Sequence, residues 1–380
     1  MSIDLFKVIV DEKRLHPLFK EVLNEPAYAK THPIINEWGE GLLDRSGEAK
    51  KFVTEWQTTF NSSFWELYLN KAFKELGYKI DYSKASPDFN LISPNNNRKI
   101  SVEAVTSNPS TQETLELDKQ QLDTELLYES TLKLAGKIRD KHILYIGDGK
   151  KKNPYSSLEH VKGNPFVLAV APFDMKLAQS QNNTAINRVL YGVEPPKNYH
   201  DPQDTVKCVI NKNGKEVELG IFTNDSYKEI SAVIFSTTGT FGKAVSMAGT
   251  ASFVRVTRLR RMGIVEFMAK EGLDKLGRSV NPIAEGYDIF SERVFSGGEI
   301  CGHDMYLYNA VDHDETHLDG LQIYHNPYAL HPLENDDFDA PEVVHYFYDT
   351  EDQVMRIKYR DNVMVSRNTV TGIAKQTVKE

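Results

Sequence analysis

Three acidic side chains between residues 60 and 106 are of a type and spacing that could bind a metal ion: Glu66, Asp88 and Glu103. Hard divalent ions such as Mg²⁺ prefer oxygen ligands, and carboxylates supply them. Two carboxylates held close together repel each other, so they do not both stay ionised comfortably without a cation between them. If folding brings these residues together, we expect a metal site there.

Two of these acids lie in runs that predict a β-hairpin. Residues 88–92 (DFNLI) and 99–106 (KISVEAVT) are strand-like, and Pro94 followed by three asparagines marks a turn between them. Folding the chain at this turn sets Asp88 nearly opposite Glu103. Cross-strand partners of an antiparallel pair point to the same face with Cβ atoms about 4.5–5.5 Å apart. Both carboxylates are therefore predicted to share one face of a sheet.

The third acid, Glu66, belongs to a predicted helix. Apolar residues recur at helical spacing from about residue 61 to residue 76, and Gly77 supplies a stop signal. Glu66 lies three residues before Leu69 and seven before Phe73, which puts it at the edge of the apolar stripe. A carboxylate at that edge can point over the sheet on which the helix packs.

The order of these features resembles the PD-(D/E)XK nuclease superfamily, whose members have the restriction-endonuclease-like fold. The likeness spans residues 60–172, under a third of the chain. Its motif is short, and the order of helix, hairpin and helix makes it more specific. It is carried by the following residues, which stand in the family's order: Glu66 on a helix, Pro87-Asp88 ahead of the hairpin, and Glu103-Ala104-Val105 on its second strand.

The resemblance implies a role for each of these positions. Asp88 and Glu103 would bind Mg²⁺ or Mn²⁺, Glu66 would be an auxiliary ligand, and the carbonyl of Ala104 would be a further ligand. The sequence departs from the family where the catalytic lysine is expected, because Val105 stands there.

Some branches of the superfamily carry this lysine on the helix after the motif strand. Residues 117–140 are predicted to form a long helix with Leu134 among its inward-facing residues. Lys133 and Lys137 lie one turn apart near the end of that helix. We favour Lys137, because it flanks the apolar stripe at Leu134, and we keep Lys133 as the alternative.

The function implied by the resemblance is that of a Mg-dependent endonuclease, which hydrolyses phosphodiester bonds in DNA. Nucleases of this fold with a large extra domain often serve in defence against foreign DNA, which suggests a homodimer or a partner protein of a defence system. Val105 cannot orient water, so the alternative hypothesis is a catalytically inactive nuclease-fold module that binds nucleic acid or a partner protein. A further alternative is that all three acids are ordinary solvated carboxylates.

Composition sets limits on these hypotheses. The chain has 380 residues, 40% of them hydrophobic, which can bury one large core or two ordinary ones. Its net charge of −9 argues against general coating of nucleic acid but not against a local basic groove. Cys208 and Cys301 have no CxxC spacing, as expected of a reducing cytosol. No apolar run reaches about 18 residues, and no signal-peptide core is present, so a cytoplasmic protein without a membrane partner is predicted.

The sequence predicts an α/β fold in three segments. Residues 1–59 form an N-terminal helical arm. Residues 60–240 form a restriction-endonuclease-like core, a mixed central sheet flanked by helices. Its apolar run at 165–173 (PFVLAVAPF) follows the long helix as the buried strand of a βαβ step. Residues 241–380 form a C-terminal α+β extension that could bind substrate or a partner.

Arginines in the predicted extension offer a nucleic-acid contact. Arg258 and Arg260 lie in the run VRVTRLRRM, and on a strand they would share a face. Two guanidinium groups at this spacing match successive phosphates. The alternative is a salt-bridged edge strand, whose arginines resist aggregation.

Four other segments carry weaker indications. Residues 237–250 are glycine-rich, and nucleotide hydrolysis through Lys243 is a third hypothesis, although the glycine spacing and Ala244 depart from a P-loop. The segment HDETH at 313–317 lacks the HExxH order of metalloproteases, so a loop is favoured over a zinc site. The segments WELYL and HNPYALHPL also resemble a group of bacterial proteins, which implies no chemistry.

Overall fold

The computed structural model describes residues 4–44, 48–107, 119–149, 153–173, 183–194, 204–263, 282–283, 286–296 and 299–370. Within these ranges, no helix combines the length and the apolar character needed to cross a membrane. The α-helices there are α1 (Pro17–Asn24), α2 (Thr31–Trp38), α3 (Ala49–Thr58), α4 (Asn61–Glu75), α5 (Lys119–Ile146), α6 (Thr184–Tyr191) and α7 (Phe241–Met247).

The strands in chain order are β1 (Lys79–Ile80), β2 (Phe89–Ile92), β3 (Lys99–Ser107), β4 (Phe166–Pro172), β5 (Val193–Glu194), β6 (Asp204–Thr205), β7 (Cys208–Ile210), β8 (Glu216–Glu218), β9 (Ala232–Phe235), β10 (Phe253–Gly263), β11 (Pro282–Ile283), β12 (Gly286–Ser296), β13 (Glu299–Asn309), β14 (Gln322–His325), β15 (Val344–Asp349), β16 (Val354–Lys358) and β17 (Val363–Val370). Eight of them form a central sheet in the order β1-β2-β3-β4-β9-β14-β15-β16, and five form a second sheet in the order β11-β12-β13-β10-β17.

The central sheet is mixed. Its strands β3, β4 and β9 are parallel neighbours, whereas β2 is antiparallel to β3 and β14 is antiparallel to β9. Because α5 connects the parallel strands β3 and β4, the predicted βαβ step after the hairpin is present. Parallel pairs at the centre of a sheet need cover on both faces.

Helices provide that cover. In β4, Val167 and Ala169 pack in one hydrophobic core with Trp65 of α4. The alternating residue Leu168 points to the other face and packs in a second core with Leu134 of α5. Every residue of β4 is buried. The predicted α/β class, with a mixed central sheet flanked by helices, is confirmed.

Trp65 fixes α4 on the sheet. Its indole is fully buried, and Nε1 donates a hydrogen bond of 2.9 Å to the carbonyl oxygen of Ala169 in β4. Truncating a buried aromatic side chain to alanine costs about 3–5 kcal/mol, so this contact is a strong anchor. Glu66 follows Trp65 directly in the chain, and its position relative to the sheet is set by the same anchor.

The central sheet does not end at the predicted boundary at residue 240. Strand β14 pairs with β9 in the register Gln322 to Phe235, and β15 and β16 continue the sheet beyond it. The segment predicted as a separate extension therefore completes the central sheet as well as forming the second one. The physical reason is that β9 is buried along its whole length, so its outer edge has to be paired.

The N-terminal segment shares a core with the helix that follows it. Trp38 of α2 and Trp56 of α3 are fully buried in the same hydrophobic cluster as Phe64 of α4. Aromatic rings join the two parts, with Trp56 and Phe64 ring centroids 6.3 Å apart. The helices α2 and α3 of the predicted helical arm thus pack against α4, the helix that carries Glu66.

Candidate active site

The hairpin of β2 and β3 places the first two acids. Its register pairs Phe89 with Val102, so one further step along the chain sets Asp88 opposite Glu103. Phe89 and Val102 pack in the core on the α4 side. Since side chains alternate along a strand, Glu103 points to the other face, where α5 lies. The Asp88 carboxylate accepts a hydrogen bond of 2.7 Å from the amide of Ala104, which ties the start of β2 to β3.

The two oxygens of Glu103 differ in their surroundings. Oε1 accepts a hydrogen bond of 2.6 Å from Nζ of Lys141 and one of 3.4 Å from the hydroxyl of Tyr155. Oε2 is buried and has no hydrogen-bond partner among the described residues. An unsatisfied buried polar atom costs about 1–3 kcal/mol, and more when it is charged. The geometry therefore leaves one buried carboxylate oxygen unsatisfied by the described residues.

The lysine that contacts Glu103 lies on α5, one turn beyond the favoured residue and one residue past the predicted helix end. Lys137, favoured from sequence, is exposed, and Lys133 lies 3.9 Å from Glu129. Lys141 makes the contact with Glu103. The predicted helix end at residue 140 was wrong, because α5 continues to Ile146.

A sequence signal for Lys141 did exist. It stands seven residues after Leu134 and three after Ile138, both fully buried against the sheet. Seven residues are close to two helical turns, so Lys141 lies nearly on the inward face. Lys137 is rotated further from that face. A longer predicted helix would have pointed to Lys141, the lysine that contacts Glu103.

The charge of Lys141 is set by its surroundings. Burial lowers the pKa of Lys141, but the charge and hydrogen bond of Glu103 outweigh this, and Asp88 and Glu66 add to them, so the pKa is raised above its usual value. Lys141 is therefore an ammonium at neutral pH, which can donate hydrogen bonds and offset negative charge but cannot accept a proton. The half-buried Glu66 of α4 takes part through its charge, so all three predicted acids act on this one ammonium.

Tyr155 is a residue of this site that sequence reasoning missed. Burial, together with the charges of Glu103 and Asp88, raises the pKa of Tyr155, so its hydroxyl stays protonated. The side chain of Ser86, two residues before Asp88, also interacts with this hydroxyl. Nothing in the spacing of the sequence points to Tyr155, because it reaches the site from a short turn after α5.

The residues present fit a divalent ion held by few protein ligands. No group of three or more His, Cys, Asp or Glu side chains in the described part of the chain is arranged to hold a metal ion. Mg²⁺, however, usually keeps several waters and binds through one or two carboxylates together with substrate phosphates. The buried, unpartnered Oε2 of Glu103 with Asp88 beside it suits such a site. Ala104 meets Asp88 through its amide, and its predicted role as a carbonyl ligand stays a prediction.

Comparisons of this chain with protein-family models, with curated proteins and with solved structures find no match. What the protein does has to be inferred from its own residues.

The two arginines predicted to contact nucleic acid have partners within the protein. Nη1 of Arg258 donates to the carbonyl of Asn362 at 2.9 Å. Nη1 of Arg260 donates to the hydroxyl of Tyr306 at 2.7 Å, and its Nε lies 3.5 Å from a carboxylate oxygen of Asp361. These contacts tie β10 to neighbouring segments, and Arg260 forms an ion pair with Asp361, but β10 is not an edge strand, because it lies between β13 and β17. Contact with nucleic acid stays a prediction.

A second charged cluster lies in the interior, at the junction of the two sheets. Lys243 of α7 pairs with Glu315 at 2.8 Å, and Arg367 of β17 pairs with the same carboxylate at 3.0 Å. His313 lies 3.3 Å from Glu315. Nζ of Lys243 also donates to the carbonyl oxygens of Thr316 and Asp319, both at 2.9 Å.

The glycine-rich segment and the HDETH segment both contribute residues to this cluster. Lys243 is fully buried, so it cannot reach a nucleotide phosphate, and the hypothesis of nucleotide hydrolysis is not supported. Gly239 lies against the rings of Trp65 and Tyr68, where any added Cβ would collide with them. The glycine is needed for close packing of the chain on α4.

Proposed function

We propose that this protein is a metal-dependent nuclease of the restriction-endonuclease-like class that hydrolyses phosphodiester bonds in DNA. The observation that carries the proposal is the environment of Glu103. Its carboxylate is buried opposite Asp88, one oxygen is held by the Lys141 ammonium, and the other has no hydrogen-bond partner among the described residues. The order of α4, hairpin, α5 and β4 supports the resemblance to the PD-(D/E)XK superfamily.

In this proposal each residue has a distinct task. Asp88 and the free oxygen of Glu103 would hold Mg²⁺ or Mn²⁺, and Glu66 would add negative charge beside them. The bound ion would supply the Lewis acidity that polarises the scissile phosphate and acidifies a water. Lys141, as an ammonium, would orient that water and offset the charge that develops on the phosphate.

Lys141 would also supply the ammonium that the chain lacks at Val105, where the nuclease superfamily has its catalytic lysine. Val105 is buried in the core on the α5 side, with Leu134 and Ile138 in the same cluster. A polar side chain at this position would be buried among apolar groups, which costs free energy unless it finds a hydrogen-bond partner. An ammonium supplied from α5 reaches Glu103 without disturbing this packing.

The test is cleavage of plasmid and linear DNA by the purified protein with Mg²⁺ or Mn²⁺. Asp88→Ala and Glu103→Gln should each abolish cleavage. Lys141→Met should lower the rate by about 100-fold or more, as loss of a group that stabilises transition-state charge does. Lys137→Met should leave the rate unchanged, which distinguishes the observed lysine from the one favoured by sequence. Cleavage that survives both carboxylate substitutions would overturn the proposal.

One observation favours the alternative of a catalytically inactive module. The ammonium of Lys141 lies 2.6 Å from Glu103 and also interacts with Asp88 and Glu66, so it partly neutralises the acids without any metal. Calorimetric titration with Mn²⁺ separates the two hypotheses. No heat of binding, together with DNA binding that is unchanged by a chelator, would support the inactive module.

A further inference from the structure

We propose that Tyr155 is a positioning residue of this site, which holds one oxygen of Glu103 so that the other oxygen faces a bound divalent cation. The inference rests on the proposed function, because it concerns the same metal site. It adds a residue that the resemblance to the nuclease superfamily does not supply.

Within the described ranges, the hydrogen bonds of Glu103 are all on one oxygen. Oε1 accepts from Tyr155 at 3.4 Å and from Lys141 at 2.6 Å. These two donors come from different elements, the turn that begins at Tyr155 and the helix α5, so together they fix the plane of the carboxylate. Oε2 then points to a place where no described protein group donates to it.

The ring of Tyr155 is itself held in place. It packs edge-on against Phe166, the first residue of β4, with ring centroids 6.3 Å apart. Its hydroxyl interacts with the side chain of Ser86 as well as with Glu103. Nε2 of His160 lies 2.7 Å from the carbonyl oxygen of Ser86, which adds a second contact between the same two segments. Tyr155 therefore joins the segment that leads into Asp88 to the strand that carries Glu103.

This arrangement has the properties of an outer partner of a metal ligand. The Tyr155 hydroxyl donates to Oε1 of Glu103, and Oε2 has no hydrogen-bond partner among the described residues. Removing the hydrogen-bond partner of a metal-binding side chain typically lowers metal affinity by about 10- to 100-fold. The Tyr155 bond is long, so we expect a loss near the lower end of that range.

The experiment is a calorimetric titration of the full-length protein with Mn²⁺ at pH 7. The variant is Tyr155→Phe, which keeps the ring and removes the hydroxyl. The control is Tyr145→Phe, because Tyr145 stacks on the same Phe166 with ring centroids 4.4 Å apart but interacts with Glu229 rather than with Glu103. Thermal unfolding of each protein shows whether the fold is kept.

We expect Mn²⁺ to bind about ten-fold more weakly to Tyr155→Phe than to the wild type and equally well to Tyr145→Phe. Ser86→Ala, which removes the other partner of the hydroxyl, should weaken binding to a smaller extent and serves as the test if Tyr155→Phe does not fold. Unchanged Mn²⁺ affinity in the folded Tyr155→Phe protein, or in Ser86→Ala if that variant has to be used, would overturn the role of Tyr155 and leave the metal site standing. A wild-type protein that binds no Mn²⁺ would overturn both this inference and the proposed metal-dependent function.

Discussion

Two lysine–glutamate pairs in this protein have nearly the same length but different surroundings. Lys243 and Glu315 lie 2.8 Å apart, with side chains 0% and 1% exposed. Lys141 and Glu103 lie 2.6 Å apart, with side chains 29% and 4% exposed. In the first pair both carboxylate oxygens face a cation, since Arg367 contacts the second oxygen. In the second pair one oxygen of Glu103 has no hydrogen-bond partner in the part of the chain that the structure describes.

The difference separates a structural cluster from a candidate site. The cluster of Glu315 joins α7, β17 and the loop before β14, and its charges are paired within the protein. The Glu103 site keeps an unsatisfied buried oxygen and an ammonium that water can still reach. Proteins retain such locally unfavourable arrangements mainly where function requires them. Substitution of the glutamate should therefore mainly lower stability in the Glu315 cluster and mainly lower activity at the Glu103 site.

The largest effect on stability is expected for Glu315→Gln. The substitution leaves Lys243 and Arg367 buried without their shared counter-charge, and breaking a buried ion pair in this way costs about 3–5 kcal/mol. Urea unfolding of the variant and the wild type measures the difference in the free energy of unfolding. A loss under about 1 kcal/mol, the value of an exposed ion pair, would contradict the structural role of this cluster.

A smaller loss is expected for Lys243→Met. Glu315 keeps Arg367 and His313 as partners in this variant, but two backbone carbonyl oxygens lose the ammonium that bonds to them. Hydrogen bonds to charged groups contribute about 1.5–3 kcal/mol, so the loss should fall in that range. Urea unfolding is again the measurement, and a loss larger than that of Glu315→Gln would reverse the order that the structure implies.

The pH dependence of stability should reveal the same cluster. Burial alone would raise the pKa of Glu315, but the charges of Arg367 and Lys243 outweigh it and hold the pKa well below the ordinary value of 4.5. A carboxyl group with a lowered pKa stabilises the folded state above its unfolded pKa, and this stabilisation is lost as the pH falls. The difference in unfolding free energy between the wild type and Glu315→Gln should shrink as the pH falls below 4.5. A difference that stays constant down to pH 3 would contradict the lowered pKa.

The smallest effect on stability is expected for Glu103→Gln. The ammonium of Lys141 is partly exposed and can turn to water, and the amide oxygen of glutamine still accepts its hydrogen bond. Ion pairs with access to solvent contribute about 0–1 kcal/mol, so the unfolding free energy should change by no more than that. Urea unfolding measured beside Mn²⁺ titration tests this directly. The expected result is lost metal binding in a protein of nearly unchanged stability, and a loss comparable to that of Glu315→Gln would mean that Glu103 is structural.

Local sequence determined the parts of the site that depend on short-range rules. The turn after Pro94 and the alternation in β3 fix the hairpin register, which is why Asp88 and Glu103 could be paired from sequence. The apolar stripe of α4 and its end before Gly77 were equally readable. The continuous apolar run at β4 predicted a buried parallel strand, because such strands have helices on both faces.

Tertiary structure decided which distant residues meet those acids. Lys141 is 38 residues from Glu103 and Tyr155 is 52 residues from it, and their contacts depend on how far α5 runs and where the chain turns after it. The pairing of Lys243 with Glu315 and the continuation of the central sheet beyond residue 240 likewise depend on segments that meet only after folding. Periodicity and turn signals act over a few residues, so they cannot specify a partner chosen by the packing of whole elements. The carboxylates of the candidate site could be paired from sequence, whereas only the fold shows that the Lys141 ammonium and the Tyr155 hydroxyl contact Glu103.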